Sequence, residues 1–220
     1  MMKRIIGILL ISSFFCLSSY AQIETLYVPV TINSPLFSQE SGKEWQIGAK
    51  INNYGLHFNF AAQSNNKILI FSIQQNNGNI RFDPLNFNEY YAFGQEKHLI
   101  QSYPAKMFYC EIGVGQNFYI NTQKLSLLTG LGRQFQNNNT RFFVQFDWGN
   151  EFGLINAGVS LRGNYTTVQN NSLFTLEPIV QGKFKIWKLR IVNQFGYSIA
   201  VKKDHDYMKP IFTAGLEYIL

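Results

Sequence analysis

From Glu44 to the last residue the chain alternates between apolar and polar positions. The clearest stretch is Trp187 to Val201, where Trp187, Leu189, Ile191, Phe195, Tyr197, Ile199 and Val201 share one parity and Lys188, Arg190, Gln194, Gly196 and Ser198 share the other. A period of two is the mark of a strand whose two faces meet different surroundings. Fifteen residues at about 3.3 Å each extend about 50 Å, well beyond the usual strand of about 5–6 residues. The same pattern predicts ten strands, over 44–52, 54–62, 67–75, 106–115, 124–135, 140–148, 152–164, 172–184, 187–201 and 209–220, separated by turns rich in Asn, Gly and Gln. Arg133, Pro178 and Asn193 fall on the apolar parity as exceptions, and 67–75 is apolar on both parities, which leaves its register open.

The second parity holds polar, charged or glycine residues, among them Gln46, Lys50, His57, Asn59, Glu111, Gly132, Gln145, Arg162 and Glu217. Alternation alone fits two architectures. A soluble barrel or sandwich buries the apolar face, whereas a membrane barrel turns it to lipid and keeps the polar face in the lumen. Strand lengths of about 9–15 residues favour the membrane. So does the placing of the connections: with the N-terminus in the periplasm, the long ones (76–105, 136–139, 165–171, 202–208) fall at one end, and the short ones (63–66, 149–151, 185–186) at the other. The turn at 53 and the eight-residue turn at 116–123 are the exceptions. The expected fold is therefore all-β, an antiparallel up-and-down transmembrane β-barrel of about ten strands, with eight or twelve as alternatives.

The N-terminus carries Lys3 and Arg4, an apolar run from Ile5 to Leu17, and small residues at Ser19 and Ala21. This reads as a secretory signal peptide cleaved after Ala21, since a run of about 13 residues is too short for a bilayer-spanning helix of about 20. The expected organisation is a signal peptide over 1–21, an irregular periplasmic leader over 22–43, and the barrel over 44–220. Loss of Lys3 and Arg4 lowers the formal charge from +6 to +4. A dispersed charge of that size does not suggest nucleic-acid binding. Cys110 is the one cysteine left after cleavage, so an internal disulfide is excluded. An aromatic content of 16%, mostly Phe and Tyr, suits a barrel with aromatic girdles. The alternation Leu216, Tyr218, Leu220 at the end resembles the C-terminal strand signal read by barrel-assembly machinery, with Leu in place of the usual Phe.

Short motifs along nearly the whole chain carry a family resemblance. They are Ser18-Ser19-Tyr20-Ala21-Gln22, Ser34-Pro35-Leu36-Phe37, Asn59-Phe60-Ala61-Ala62, Glu111-Ile112-Gly113-Val114-Gly115, Arg141-Phe142-Phe143-Val144-Gln145 and Leu176-Glu177-Pro178. The chain resembles the small outer-membrane β-barrel proteins of the Bacteroidetes, most of which have no assigned biochemical role. That resemblance implies a location in the cell outer membrane and carries over no catalytic residues.

Two sets of residues carry candidate chemistry. On the lumen parity, Lys50, Glu111, Asp147, Arg162, Glu177, Lys188, Arg190 and Glu217 form a possible ion-pair network, because charges held away from water need partners. It reads either as a narrow porin-like conduit for small solutes or as a plug that rigidifies the barrel. In the long connection, Phe82, Phe87, Tyr90, Tyr91, Phe93 and Tyr103 stand among polar groups, as a surface for an unknown ligand or protein or as a strand pair packed on itself. His57, His98 and His205 lie apart, and neither GxSxG nor HExxH occurs, so no catalytic, metal or cofactor site is expected. The expected role is non-enzymatic, structural or surface-interacting, with outer-membrane lipid and the assembly machinery as partners. A soluble periplasmic ligand-binding barrel is a further alternative.

Overall fold

The computed structural model describes residues 43–82, 101–121, 123–135, 139–168, 171–200 and 208–220. The expected signal peptide and almost all of the expected leader lie outside the described residues. Ten antiparallel strands follow in chain order: β1 Glu44–Asn52, β2 Gly55–Ser64, β3 Lys67–Phe82, β4 Gln101–Ile120, β5 Gln123–Gln134, β6 Asn139–Phe152, β7 Ile155–Val168, β8 Asn171–Ile186, β9 Leu189–Ala200 and β10 Met208–Ile219. Each pairs with its chain neighbours, and β1 pairs with β10, so the sheet closes on itself. At the seam the Leu220 amide donates to the Trp45 carbonyl at 3.0 Å. The strand number and up-and-down order match the pattern read from the sequence. The ten registers together give a shear of about 12 residues, which for ten strands sets a tilt of about 40° and a backbone diameter of about 20 Å.

Several boundaries differ from expectation, and turn chemistry explains them. At the end that carries the termini, the connections are 65–66, 121–122, 153–154 and 187–188, each of two residues. Asn65, Asn66, Asn121, Gly153 and Trp187 have φ of 48°, 64°, 55°, 62° and 58°. Positive φ is what two-residue hairpins of the primed types need, because only that twist matches the flanking strands. The expected eight-residue turn at 116–123 is thus not a loop: β4 and β5 stay paired down to Ile120 and Gln123. Likewise β9 begins at Leu189, since Trp187 and Lys188 are turn residues. At the other end, β3 and β4 remain paired up to Phe82 and Gln101, which shortens the expected 76–105 connection to 83–100.

Burial is inverted relative to a soluble protein. Ile112, Val114, Leu131, Val180 and Leu216 are at least half exposed, while Lys50, Arg162, Lys183 and Arg190 are buried. The apolar parity therefore forms the outer wall, in the arrangement of an outer-membrane β-barrel. On β4, Phe118 and Phe108 face outwards ten residues apart, which at this tilt is about 25 Å along the barrel axis, the height of a lipid-facing band. Trp45, Trp148 and Trp187 all lie outward near the end with the termini. Across the outer wall, Phe195 and Phe212 pair directly with ring centroids 4.9 Å apart.

The double apolar character of β3 also has a cause. Leu69, Phe71 and Ile73 face outwards, while Ile68 and Ile70 face inwards and pack with Ala61, Leu128 and Phe143 in a small apolar cluster inside the barrel. Its largest member is accommodated by missing side chains: a Cβ on Gly130 would stand 2.5 Å from the Phe143 ring, and one on Gly113 would stand 2.8 Å from it.

Candidate functional site

The candidate site is the lumen, a space about 20 Å across between backbones and filled by inward side chains from all ten strands. Its strongest group lies on the β4–β7 side. Arg162 and Glu111 face each other as a fork: Nη1 donates to Oε1 at 3.1 Å and Nη2 to Oε2. The Tyr109 hydroxyl donates to Glu111 Oε2 at 3.1 Å, and Arg162 Nε donates to Asn164 Oδ1 at 2.7 Å. Asn164 in turn donates to Thr175. The guanidinium lies 3.9 Å from the centroid of Phe143, and Arg141 lies 4.8 Å from that of Tyr109. A bidentate, charge-assisted pair with its outer lone pairs also bonded is the geometry in which a buried ion pair can offset its desolvation.

A second group lies towards the termini. Glu217 takes Lys183 on Oε2 at 2.8 Å and has Lys50 2.9 Å from Oε1, the Lys50 contact falling outside hydrogen-bond angles. Beside it, Arg190 pairs with Glu44 at 3.1 Å. Further lumen bonds join side chains within a few residues or across neighbouring strands: Gln145 donates to both oxygens of Asp147 at 3.0 Å, Ser198 donates to the Glu177 carboxylate at 2.9 Å, and Gln194 donates to Gln181, which donates to Ser160.

Of the residues named from sequence, Lys50, Glu111, Asp147, Arg162, Glu177, Arg190 and Glu217 are all buried in the lumen. Lys188 is not. It sits exposed in the 187–188 turn, with its ammonium 5.9 Å from the Tyr218 ring on the outside. The reason is the hairpin geometry above, which ends the alternation two residues earlier than expected. Glu44, Lys124, Arg141 and Lys183 are buried in the lumen too and were not singled out from sequence. All four stand on the polar parity of their strands, so carrying that parity to the strand ends finds them. Phe82 and Tyr103 lie on the paired extension of β3 and β4, opposite Gln101 and Ile80. Phe87, Tyr90, Tyr91 and Phe93 lie outside the described residues, as do His98 and His205. His57 is fully buried on the lumen wall. Among the described residues no group of three His, Cys, Asp or Glu could hold a metal ion.

Towards the end opposite the termini, a turn side chain enters the barrel. Asn52 Oδ1 accepts from the amides of Tyr54 and Gly55 at 2.8 and 2.6 Å, which folds the β1–β2 connection into a tight turn. Tyr54 then points into the barrel and packs with Met107, Ile179 and Ile211, from β4, β8 and β10. Its hydroxyl donates to the Pro210 carbonyl at 2.9 Å. Burial pushes the Tyr54 phenol up to about 12, so it stays a neutral donor.

No protein-family profile matches the chain, and no curated protein sequence matches it. Solved structures of similar backbone course do exist. One is OmpT, an outer membrane protein of Vibrio cholerae in trimer form, at 10% identity, with 76% of this chain covered and a TM-score of 0.38; the chain spans 56% of the length of that protein. A second is the β domain of the Bordetella autotransporter BrkA, at 9% identity, with coverage of 82% of this chain and 100% of that one and a TM-score of 0.49. A third is the Yersinia pestis outer membrane protein Ail, at 15% identity, covering 81% and 99% with a TM-score of 0.37.

Proposed function

We propose that this chain is a closed, non-enzymatic barrel of the bacterial outer membrane, with a structural or surface-interaction role and a lumen plugged by its own ion-paired side chains. One observation carries the reading: four long inward cations, Arg162, Arg190, Lys50 and Lys183, are each no more than 1% exposed. A water-filled pore leaves its lining charges wet, whereas a packed interior buries and pairs them. Inverted burial speaks against the soluble periplasmic alternative, which would expose this apolar wall to water. The chain reaches the membrane by a signal peptide cleaved after Ala21 and is inserted by the barrel-assembly machinery, with lipid covering the apolar band. Partner contact belongs to the end opposite the termini, where the longest connection, 83–100, emerges.

Planar-bilayer recording of the refolded full barrel tests the plug. The expected result is no stable unitary conductance, and regular conductance steps from the wild-type chain overturn the reading in favour of a narrow pore. Fractionation of the native cells tests the location: recovery in the soluble periplasm without detergent overturns it.

A further inference from the structure

Stretches of the lumen wall differ in how far their polar groups are satisfied: single atoms such as Thr166 Oγ1 and Asn156 Oδ1 lack partners on β7, but on the β10–β1–β2–β3 stretch four neighbouring side chains have none at all. From β4 to β8, the Arg162–Glu111 fork, Tyr109, Asn164 and Thr175 form a connected chain of bonds. Across β10, β1, β2 and β3 the inward groups are Thr213, Lys50, His57, Asn59 and Ser72. They are contiguous in register: Lys50 stands opposite His57, Asn59 opposite Ser72, and Thr213 opposite Asn52, two residues beyond Lys50 on β1. His57, Asn59, Ser72 and Thr213 are each at most 4% exposed. Neither ring nitrogen of His57, neither amide atom of Asn59, and neither hydroxyl of Ser72 and Thr213 has a hydrogen-bond partner. A buried polar group without a partner has lost its hydration with no return. This stretch of wall therefore gains from contact with water. It is separated from the outer end by the Tyr54 cap, which Asn53 fastens to β10 by donating to the Pro210 carbonyl at 2.8 Å and accepting from the Phe212 amide at 3.2 Å.

We propose that the β10–β1–β2–β3 wall is a latent path for water and small inorganic anions, and that the Tyr54 ring is the lid that keeps it shut. The proposal rests on the closed-lumen reading above. Anions follow from the lining. Lys50, opposite His57 on the path, and Lys183 bring two ammonium groups to one carboxylate, Glu217, which both already hold, and the neighbouring Glu44 is held by Arg190. The lid is a turn side chain beyond the last β1–β10 register pair, Asn52 and Thr213; the Asn53 amide still donates to the Phe212 carbonyl at 3.2 Å, so the Tyr54 ring can turn outwards about its own bonds while that tether and the strand ladder stay in place. With the ring displaced, water reaches His57 and Thr213 first, then Asn59 and Ser72, and each entering molecule finds bonding groups already in place.

The test is planar-bilayer recording in a potassium chloride gradient on four full-length refolded proteins: wild type, Tyr54→Phe, Tyr54→Ala, and Tyr54→Ala combined with His57→Leu and Asn59→Leu. Heat-modifiable migration on gels verifies that each is folded. The expected result is silence from wild type and Tyr54→Phe, which keep the ring, and unitary steps with a chloride-selective reversal potential from Tyr54→Ala. In the combined variant conductance falls by about tenfold or more, because apolar side chains dewet the path. Folded but silent Tyr54→Ala overturns the lid, unchanged conductance in the combined variant overturns the path, and potassium selectivity overturns the anion assignment. Conduction by wild type instead overturns the closed-lumen reading. Met107→Ala thins the cap from β4 without touching the turn; if Tyr54→Ala does not fold, steps from Met107→Ala support the lid and silence overturns it.

Discussion

Removing one half of the Arg162–Glu111 fork is the sharpest check on the packed interior. Glu111→Gln keeps the shape of the side chain but deletes its charge and turns one acceptor into a donor facing the guanidinium. Arg162 then retains Asn164 as an acceptor and the Phe143 face at 3.9 Å, both present before and after, so neither offsets the change. Stripping one partner from a buried pair costs about 3–5 kcal/mol, because the other charge is left without its counter-ion. The fork here is fully buried on both sides, with side chains at 0% exposure, so solvent cannot take up the difference and about 3 kcal/mol is the expected loss. The double variant Glu111→Leu with Arg162→Met removes both charges, and is expected within about 1 kcal/mol of wild type. Urea unfolding in phospholipid vesicles reads both, with fluorescence from Trp45, Trp148 and Trp187 reporting departure from lipid, since all three face outwards. The outward swap Leu189→Ile serves as control and should move stability by less than about 0.5 kcal/mol. A loss under about 1 kcal/mol in Glu111→Gln, or a double variant no better than the single, would refute the claim that this pair is dry and coupled.

Other positions make separate tests. A Cβ on Gly132 would stand 1.7 Å from the Tyr109 hydroxyl oxygen, so Gly132→Ala should displace Tyr109 from Glu111 and lower unfolding stability by about 1–3 kcal/mol; a neutral result would mean the ring has another place to go. Asn193 lies partly buried on the outward parity beside Gly182 and Ala214, and Asn193→Leu should stabilise the barrel in vesicles by about 1 kcal/mol by removing a polar side chain from hydrocarbon. Cys110 is free and on the outward parity of β4, so in proteoliposomes it should react with a lipophilic maleimide and resist a charged, membrane-impermeant one; labelling by the charged reagent would place it elsewhere. Arg190→Leu should cost about 1–2 kcal/mol, less than Glu111→Gln, because its partner Glu44 has a side chain already 10% exposed at the rim and can be hydrated there.

Local chemistry made the strands legible. An apolar outer face and a polar inner one write a period of two into most strands between Glu44 and Leu220. Where the alternation fails, an inner contact often explains it: Ile68 and Ile70 are apolar on the lumen side because Phe143 and Leu128 lie against them. The strand ends were harder to read. Near Asn121 and Trp187 the pattern carries no stop, because a two-residue turn is set by positive φ rather than by hydropathy, and Trp at such a position is not the residue turn preferences name.

Pairing inside the lumen lay further beyond reach, because it is fixed by the closure of the sheet. Arg162 and Glu111 are 51 positions apart in sequence and lie on strands separated by two others. Parity says that both point inwards, but only the shear says at what height each arrives, and a change of register would bring Arg162 to a different carboxylate. The same geometry puts three chain-distant side chains, Lys50, Lys183 and Glu217, into one cluster, while Lys188, five residues from Lys183, is left outside by a turn. It also explains why the place of Tyr54 has no motif: β1 and β2 are the short side of the barrel, nine and ten residues against sixteen and twenty for β3 and β4, so their turn stands low on the rim. On the low side of the rim a turn side chain can reach across to Met107, Ile179 and Ile211. The inward reach of Tyr54 is thus a property of unequal strand lengths around a ring, visible only once the sheet is closed.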